Sequence, residues 1–363
     1  MSRIARLIAF YLPQFHPIPE NDQWWGRGFT EWTNVVKASP LFDGHYQPHV
    51  PADLGFYDLR LPETRDAQAA LARAHGIEGF CYYHYWFNGK RLLERPFDEV
   101  LASGKPDFPF CLCWANESWS RRWLGEERDI LMQQTYSAED DVRHARWLVR
   151  AFSDARYMTV HGRALFLVYR PRHLDAPKQM TDTLREECVK AGLPDPYLVG
   201  VDAHCMHFDS RTVGFDANLN FAPQLGVLPE PFNDAFSARR LIRNARRKIM
   251  SGTIKVYDYD AAWEAMFRAR PSFEHIPSVF VGWDNTPRRG RRGIIIDKTT
   301  PDAFVRALKD AIAVVSDRNP EERIVFIDAW NEWAEGNHLE PDLKNGHAYL
   351  NAISRTIGLE KET

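Results

Sequence analysis

The chain has 363 residues, 44% of them hydrophobic and 26% charged, which supplies a large core and excludes disordered, collagen-like and coiled-coil chains. Lys plus Arg at 46 against Asp plus Glu at 49 leaves a formal net charge of -3, so no global basic field recruits nucleic acid. No run of about 18 apolar residues occurs and the amino end turns polar at Gln14 and His16, so a cytoplasmic protein without an export signal is expected.

Eight short apolar, β-rich runs follow one another: Arg6 to Leu12, Gly79 to Tyr85, Phe108 to Asn116, Ala164 to Arg170, Tyr197 to Ala203, Ala217 to Pro223, Ser278 to Asp284, and Ile324 to Asn331. Runs as continuous as Ala164 to Tyr169 suit strands buried on both faces. Helical patterns lie between them, over Glu63 to His75, Phe97 to Ser103, Ala138 to Phe152, Lys178 to Ala191, Ala261 to Arg268, Pro301 to Val315 and His347 to Ile357. Gly76, Gly192 and Gly358 stand where C-caps belong. Eight strand-and-crossover units imply an α/β fold, a (β/α)8 TIM barrel in one domain over residues 1–363. The alternative, a doubly wound open sheet, lacks a Gly-x-Gly-x-x-Gly after the first strand.

Polar and aromatic residues pile up just after these strands, where a barrel carries its active site. Three excursions, Pro13 to Leu61, Glu117 to Ser137 and Gln224 to Ile276, are long enough to wall a cleft. The chain's 12 Trp, 13 Tyr and 22 Phe exceed what a core needs and point to flat, partly polar ligands. Trp24 and Trp25 in the first excursion are candidates to stack on the face of such a ligand; Trp32 belongs more naturally to a loop core. Further substrate contacts are expected from His84, Tyr85, Trp114, Asn116, Glu117, Asp202, Trp283, Asn331 and Trp333, all at strand ends. Strand alternation forbids His84 and Tyr85 from both pointing inward.

The sharpest motif is Asp328-Ala329-Trp330-Asn331-Glu332-Trp333-Ala334-Glu335-Gly336. Two carboxylates three apart at a barrel mouth can act as base and acid if their surroundings separate their pKa values, and Trp330 and Trp333 offer apolar walls that raise one. The competing reading is a solvated turn.

This segment resembles the Asn-Glu-Trp-x-Glu-Gly signature of glycoside hydrolase family 99, which includes endo-α-mannosidases and endo-α-mannanases, and the resemblance runs on to the WbsX-like proteins, often described as glycosyltransferases of polysaccharide or O-antigen biosynthesis. Phe10 to His16, Trp24 to Trp32, Cys81 to Phe87 and Cys113 to Glu117 carry it further. The resemblance implies that Glu332 deprotonates a sugar 2-hydroxyl, which attacks C1 to give a 1,2-anhydrosugar, while Glu335 protonates the leaving oxygen. Such chemistry suits α-mannosides or α-L-rhamnosides and departs from the usual carboxylate nucleophile. Ala334 stands where the hydrolases often have His, and the aromatic block after the second strand differs, so no sugar-binding residue is carried over. The expected function is a retaining glycoside hydrolase or transglycosylase acting on bacterial polysaccharide. A surface-polysaccharide or lipopolysaccharide glycosyltransferase and a non-catalytic carbohydrate-binding barrel are the alternatives.

No organic cofactor or metal is implied. Asp202 with His204 and His207 makes a thin metal set, and Asp258-Tyr259-Asp260, a diphosphate-metal pattern in some transferases, reads better as a helix cap at Asp260. Cys81, Cys111, Cys113, Cys188 and Cys205 read as reduced core thiols. Two basic clusters remain: Arg288, Arg289, Arg291 and Arg292 after the seventh strand, facing either an anionic substrate or solvent, and an amphipathic pattern over Ala238 to Met250, either solvated or in weak contact with a membrane surface or lipid-linked glycan.

Overall fold

The apolar runs pair side by side in the order in which they occur. The computed structural model describes residues 4–121, 126–204, 206–231 and 254–359. Its barrel strands are β1 (Arg6–Tyr11), β2 (Gly79–Phe87), β3 (Phe110–Trp114), β4 (Arg163–Val168), β5 (Tyr197–Asp202), β6 (Ala217–Asn220), β7 (Ile276–Phe280) and β8 (Ile324–Asp328). Each pairs in parallel with the next. Leu7 of β1 lies beside Val325 of β8, which closes the cylinder as a (β/α)8 TIM barrel.

Several strands stop short of the apolar runs, β8 at Asp328 and β3 at Trp114, because the residues beyond leave the sheet to build the rim. Helices α1 (Pro19–Trp25), α2 (Glu31–Lys37) and α3 (Pro62–Ala74) follow β1, and α4 (Arg95–Ser103), α5 (Ala138–Phe152) and α6 (Pro177–Lys190) follow β2, β3 and β4. A single 3-10 turn, Ser210–Val213, links β5 to β6. After β6 comes α7 (Tyr259–Arg268), after β7 the short α8 (Thr286–Arg289) and the long α9 (Pro301–Val315), and after β8 comes α10 (Ala348–Thr356). The cap of α7 is Asp258, which accepts from Ala261 N, two residues before the expected Asp260.

The barrel interior is plugged by rings: Tyr83, Phe221 and Phe326 stand 5.2 to 5.4 Å from Phe10. Burying each such ring is worth roughly 1.5–3 kcal/mol. This plug forms a solid floor, and the next inward-facing residues up each strand belong to the site. Cys81, Cys111, Cys113 and Cys188 are buried free thiols; Cys205 lies outside the described residues. Among the described residues no helix is long and apolar enough to cross a membrane.

Candidate active site

Beyond β8 the chain is tied down before the glutamates begin. Asn331 Nδ2 donates to Leu12 O (3.0 Å) and its Oδ1 accepts from Leu12 N (2.7 Å), clamping the loop onto the end of β1. Asn331–Glu332 then pairs antiparallel with Asn337–His338, leaving Trp333–Glu335 as one 3-10 turn between them. Gly336 ends that turn at φ 58°, and a Cβ there would lie 3.2 Å from the Asp284 Cβ, so the close approach of this turn to the β7 loop needs glycine. Glu332 and Glu335 are thus held on a rigid hairpin.

Between them stands Arg288, from α8. Its Nη1 lies 2.5 Å from Glu335 Oε1, its Nη2 3.1 Å from Glu332 Oε2, and its Nε 2.7 Å from Glu31 Oε1. Glu31, the first residue of α2, is fully buried behind the guanidinium. The arginine is fixed from its own helix as well: Asp284 Oδ1 accepts from Thr286 N and Oγ1 at the start of α8. Asp284 Oδ2 is held in turn by His45 and Gln47, each at 2.7 Å. Burial pushes the Asp284 carboxyl up, but hydrogen bonds from His45, Gln47 and Thr286 outweigh it and keep it ionised.

Three carboxylates around one cation leave the centre short of positive charge. Burial raises the Glu332 carboxyl, Arg288 opposes this, and the charges of Glu335 and Glu31 reinforce it, so that it is pushed up to about 8. Glu335 is raised as well, by burial and then the charge of Glu31, against Arg288. Because both share Arg288, the pair titrates as a unit that keeps a proton near neutral pH.

The hairpin opens onto a cavity of about 400 Å³, enough for one or two sugar rings. Gln14, Tyr83, Tyr85, Asp328 and Tyr169 line its depth, and Trp25, Trp119 and Trp283 are among the residues of its wall. At one side Arg170 Nε is bonded to Glu117 Oε1 (2.9 Å), and Arg170 also meets His204.

Comparison with known proteins places this geometry. The profile of the family described as Glycosyltransferase WbsX matches residues 7–353. The chain belongs to the WbsX glycosyltransferase family. It is 43% identical over 358 residues to WxcX of Xanthomonas campestris pv. campestris strain B100, and 42% identical over 357 residues to WxcX of strain ATCC 33913, both described as uncharacterized. The match covers 97% of this chain and 50% of each relative, so the chain spans about half their length. Among solved structures, the glycoside hydrolase family 99 endo-α-mannosidase of Bacteroides thetaiotaomicron superposes with a TM-score of 0.58 at 15% identity, covering 97% of this chain and 96% of that one. A second structure of that enzyme, in complex with bis-tris propane, gives 0.57 at 15% identity over 98% and 96% of the two chains. At this identity the likeness is one of fold.

In this WbsX-family chain the expected contact residues divide. Trp25, Tyr85, Glu117 and Trp283 line the cavity with Glu332 and Glu335. The others are not among its lining residues. Strand alternation turns Tyr85 inward and His84 outward, where His84 Nε2 meets His144 Nε2 at 3.0 Å and its ring stacks 4.6 Å from Trp147 under α5. Burial, then the neighbouring His144, holds His84 well below the usual histidine range, as expected of a neutral core residue. Trp114 also points outward and donates to Trp86 O. Asn116 is fully buried, exchanging hydrogen bonds with Arg170 N and O. Trp24 packs edge-on against Trp119. Asp202 accepts from the backbone N of His204, Met206 and His207, which makes it a turn organiser instead of a metal or sugar ligand. Asn331 is the clamp already described, and Trp333 is buried with its Nε1 on Glu340. Apart from Trp24, which sits in the first long loop, these placements correct the strand-end expectation: a polar residue at a strand end is as often a fastener as a ligand.

Asp258 caps α7 and Asp260 pairs with Arg306, so the Asp-x-Asp triplet faces a helix on the outside. His49, His338 and Asp342 form a group of metal-ligand types, yet their hydrogen bonds are already engaged: His338 Nδ1 with Glu340 O, its Nε2 with His49 Nδ1, and Asp342 with the backbone N of Lys344 and Asn345. Of the arginine loop, Arg288 and Arg289 reach the cavity while Arg291 and Arg292 are exposed. The Ala238 to Met250 pattern lies outside the described residues. From the sequence Gln14 was a rim residue and Arg288 a possible anion contact, but neither Arg288 nor Glu31 was expected beside the glutamates, and Asp328 was not expected as a contact. Asp328 was readable, since it stands two residues after the inward Phe326; the meeting of Arg288 with Glu31 joins positions too far apart in the chain to show any local signal.

Proposed function

We propose that this chain cleaves or transfers α-manno- or α-rhamno-configured glycosidic linkages of a bacterial polysaccharide with retention, using Glu332 and Glu335. The observation that carries it is the pair of glutamates, Glu332 buried and Glu335 partly so, bridged by one arginine at the mouth of a sugar-sized cavity. By its position in the signature Glu332 is the base for the sugar 2-hydroxyl and Glu335 the acid for the leaving oxygen. Both carboxyls lean toward the protonated form, Glu332 the more strongly. The base role therefore requires that the bound sugar leave the shared proton on Glu335, and Arg288, bonded to both, is placed to favour either as the ionised partner. Trp25 and Trp283 supply stacking faces, Tyr85 and Glu117 polar contacts. No organic cofactor enters this scheme.

The family description favours a second reading, transfer from an activated sugar to a polysaccharide acceptor. The two readings share the activated sugar and differ in what accepts it. Product analysis separates them. α-Mannosyl and α-rhamnosyl oligosaccharides incubated in water with added methanol should yield the free sugar and its methyl α-glycoside. Thermal stabilisation by a nucleotide sugar with no cleavage of any oligosaccharide would favour the transferase; at tenfold Kd that stabilisation is about 1.4 kcal/mol.

A further inference from the structure

The floor of the cavity holds two buried polar groups that the glutamate chemistry does not use. Asp328 ends β8 and is 2% exposed; Asn337 Nδ2 donates to its Oδ2 at 2.8 Å, while its Oδ1 has no hydrogen-bond partner among the described residues. Gln14, in the loop after the neighbouring β1, is 5% exposed, and its Nε2 likewise has no partner there. Both residues line the same cavity as Glu332 and Glu335. A buried polar atom left unpaired is costly, so two in one cavity mark a surface completed by a ligand.

We propose that Asp328 and Gln14 form a hydroxyl-binding floor for the sugar ring that occupies this cavity. Burial, and then the charges of Glu332 and Glu335, push the Asp328 carboxyl well above the ordinary range, toward the protonated form. With Oδ2 accepting from Asn337, its proton sits on Oδ1 and is donated to a sugar oxygen, while Gln14 Nε2 donates beside it. The ligand is then a pyranose with a free hydroxyl turned toward the barrel axis, and a ring deoxygenated at that carbon is rejected, because it leaves these donors unpaired. The proposal deepens the glycan reading of the site but not the assignment of Glu332 and Glu335, since binding needs no turnover.

The test is a ligand-observed NMR titration of methyl α-D-mannopyranoside, methyl α-L-rhamnopyranoside and their monodeoxy derivatives against wild type, Asp328→Ala, Asp328→Asn and Gln14→Ala. The wild type should bind at least one parent glycoside, and loss of one particular hydroxyl should weaken it about tenfold or more. Asp328→Ala should lose a similar factor with the parent and become indifferent to that deoxygenation. Asp328→Asn, whose amide donates from the same place, should recover part of the loss. Gln14→Ala, on a loop, repeats the comparison without altering a barrel strand. Binding by Asp328→Ala equal to wild type, an undiminished deoxygenation penalty in that variant, or no binding of any glycoside by wild type would overturn the proposal. Affinity lost in Asp328→Ala with no cleavage by wild type would leave the floor standing and remove the glycosidase reading; cleavage with unchanged affinity in Asp328→Ala would do the reverse.

Discussion

Glu335 and Glu340 lie five residues apart on one loop, the first partly and the second fully buried and both pushed toward the protonated form, yet they are built for opposite purposes. Glu340 is raised to about 7 by burial, and donors surround it: Tyr57 OH at 2.8 Å and Trp333 Nε1 at 2.6 Å on Oε2, Gln68 Nε2 at 2.6 Å on Oε1. It lines no part of the main cavity, and its hydrogen bonds knit α3, the first long loop and the signature turn together. Glu335 has one cation, shared with two other carboxylates, and opens onto space. A displaced pKa is therefore common to both; access and incomplete pairing separate a group available for chemistry from one used for cohesion.

Replacing each glutamate breaks or sharpens this contrast. Glu335→Gln and Glu332→Gln should each lower turnover by about 10²- to 10⁴-fold while leaving thermal unfolding near that of wild type, measured on the same preparations. Glu340→Ala should do the converse. It strands three buried donors, so we expect a loss of about 3 kcal/mol or more by urea unfolding, with turnover per folded molecule retained.

Arg288→Met tests the bridge between the two glutamates. Without the cation both carboxyls rise further, so the base is harder to ionise and the acid limb of the pH–rate profile should move to higher pH. In wild type, activity should fall on the alkaline side near about 8, where the shared proton leaves. An unmoved acid limb in Arg288→Met would detach the arginine from the proton balance.

The smallest effect is on stability against pH. Glu332, Asp328 and Glu340 all have folded-state pKa values above their unfolded ones. The contribution of Glu340 and Glu332 is complete below the ordinary carboxylate range and is lost as pH rises through about 7 to 8. The midpoint of thermal unfolding should therefore decline from pH 5 to pH 9, and less steeply in Glu332→Gln.

The barrel was legible because each strand announces itself: runs such as Ile324 to Ile327 are continuous and apolar, and Gly76, Gly192 and Gly358 do adopt positive φ where helices end. The glutamate pair was legible because it is local, three residues apart after a strong strand. What stayed hidden depends on side-chain direction and distant partners. His84 and Tyr85 are neighbours in sequence and face opposite ways, and nothing near Arg288 in the chain reveals Glu31, brought against it by the first long loop. Asn116, Asp202 and Asn331 look like ligands in sequence because fasteners and ligands use the same polar groups.

The most direct test of the account is a proton NMR time course of wild type and Glu335→Gln with defined α-mannosyl and α-rhamnosyl oligosaccharides. The account predicts release of a sugar in the retained α configuration by wild type and about 10²-fold or greater slowing in the variant. Release of the inverted β anomer, or equal rates from the two proteins, would contradict it.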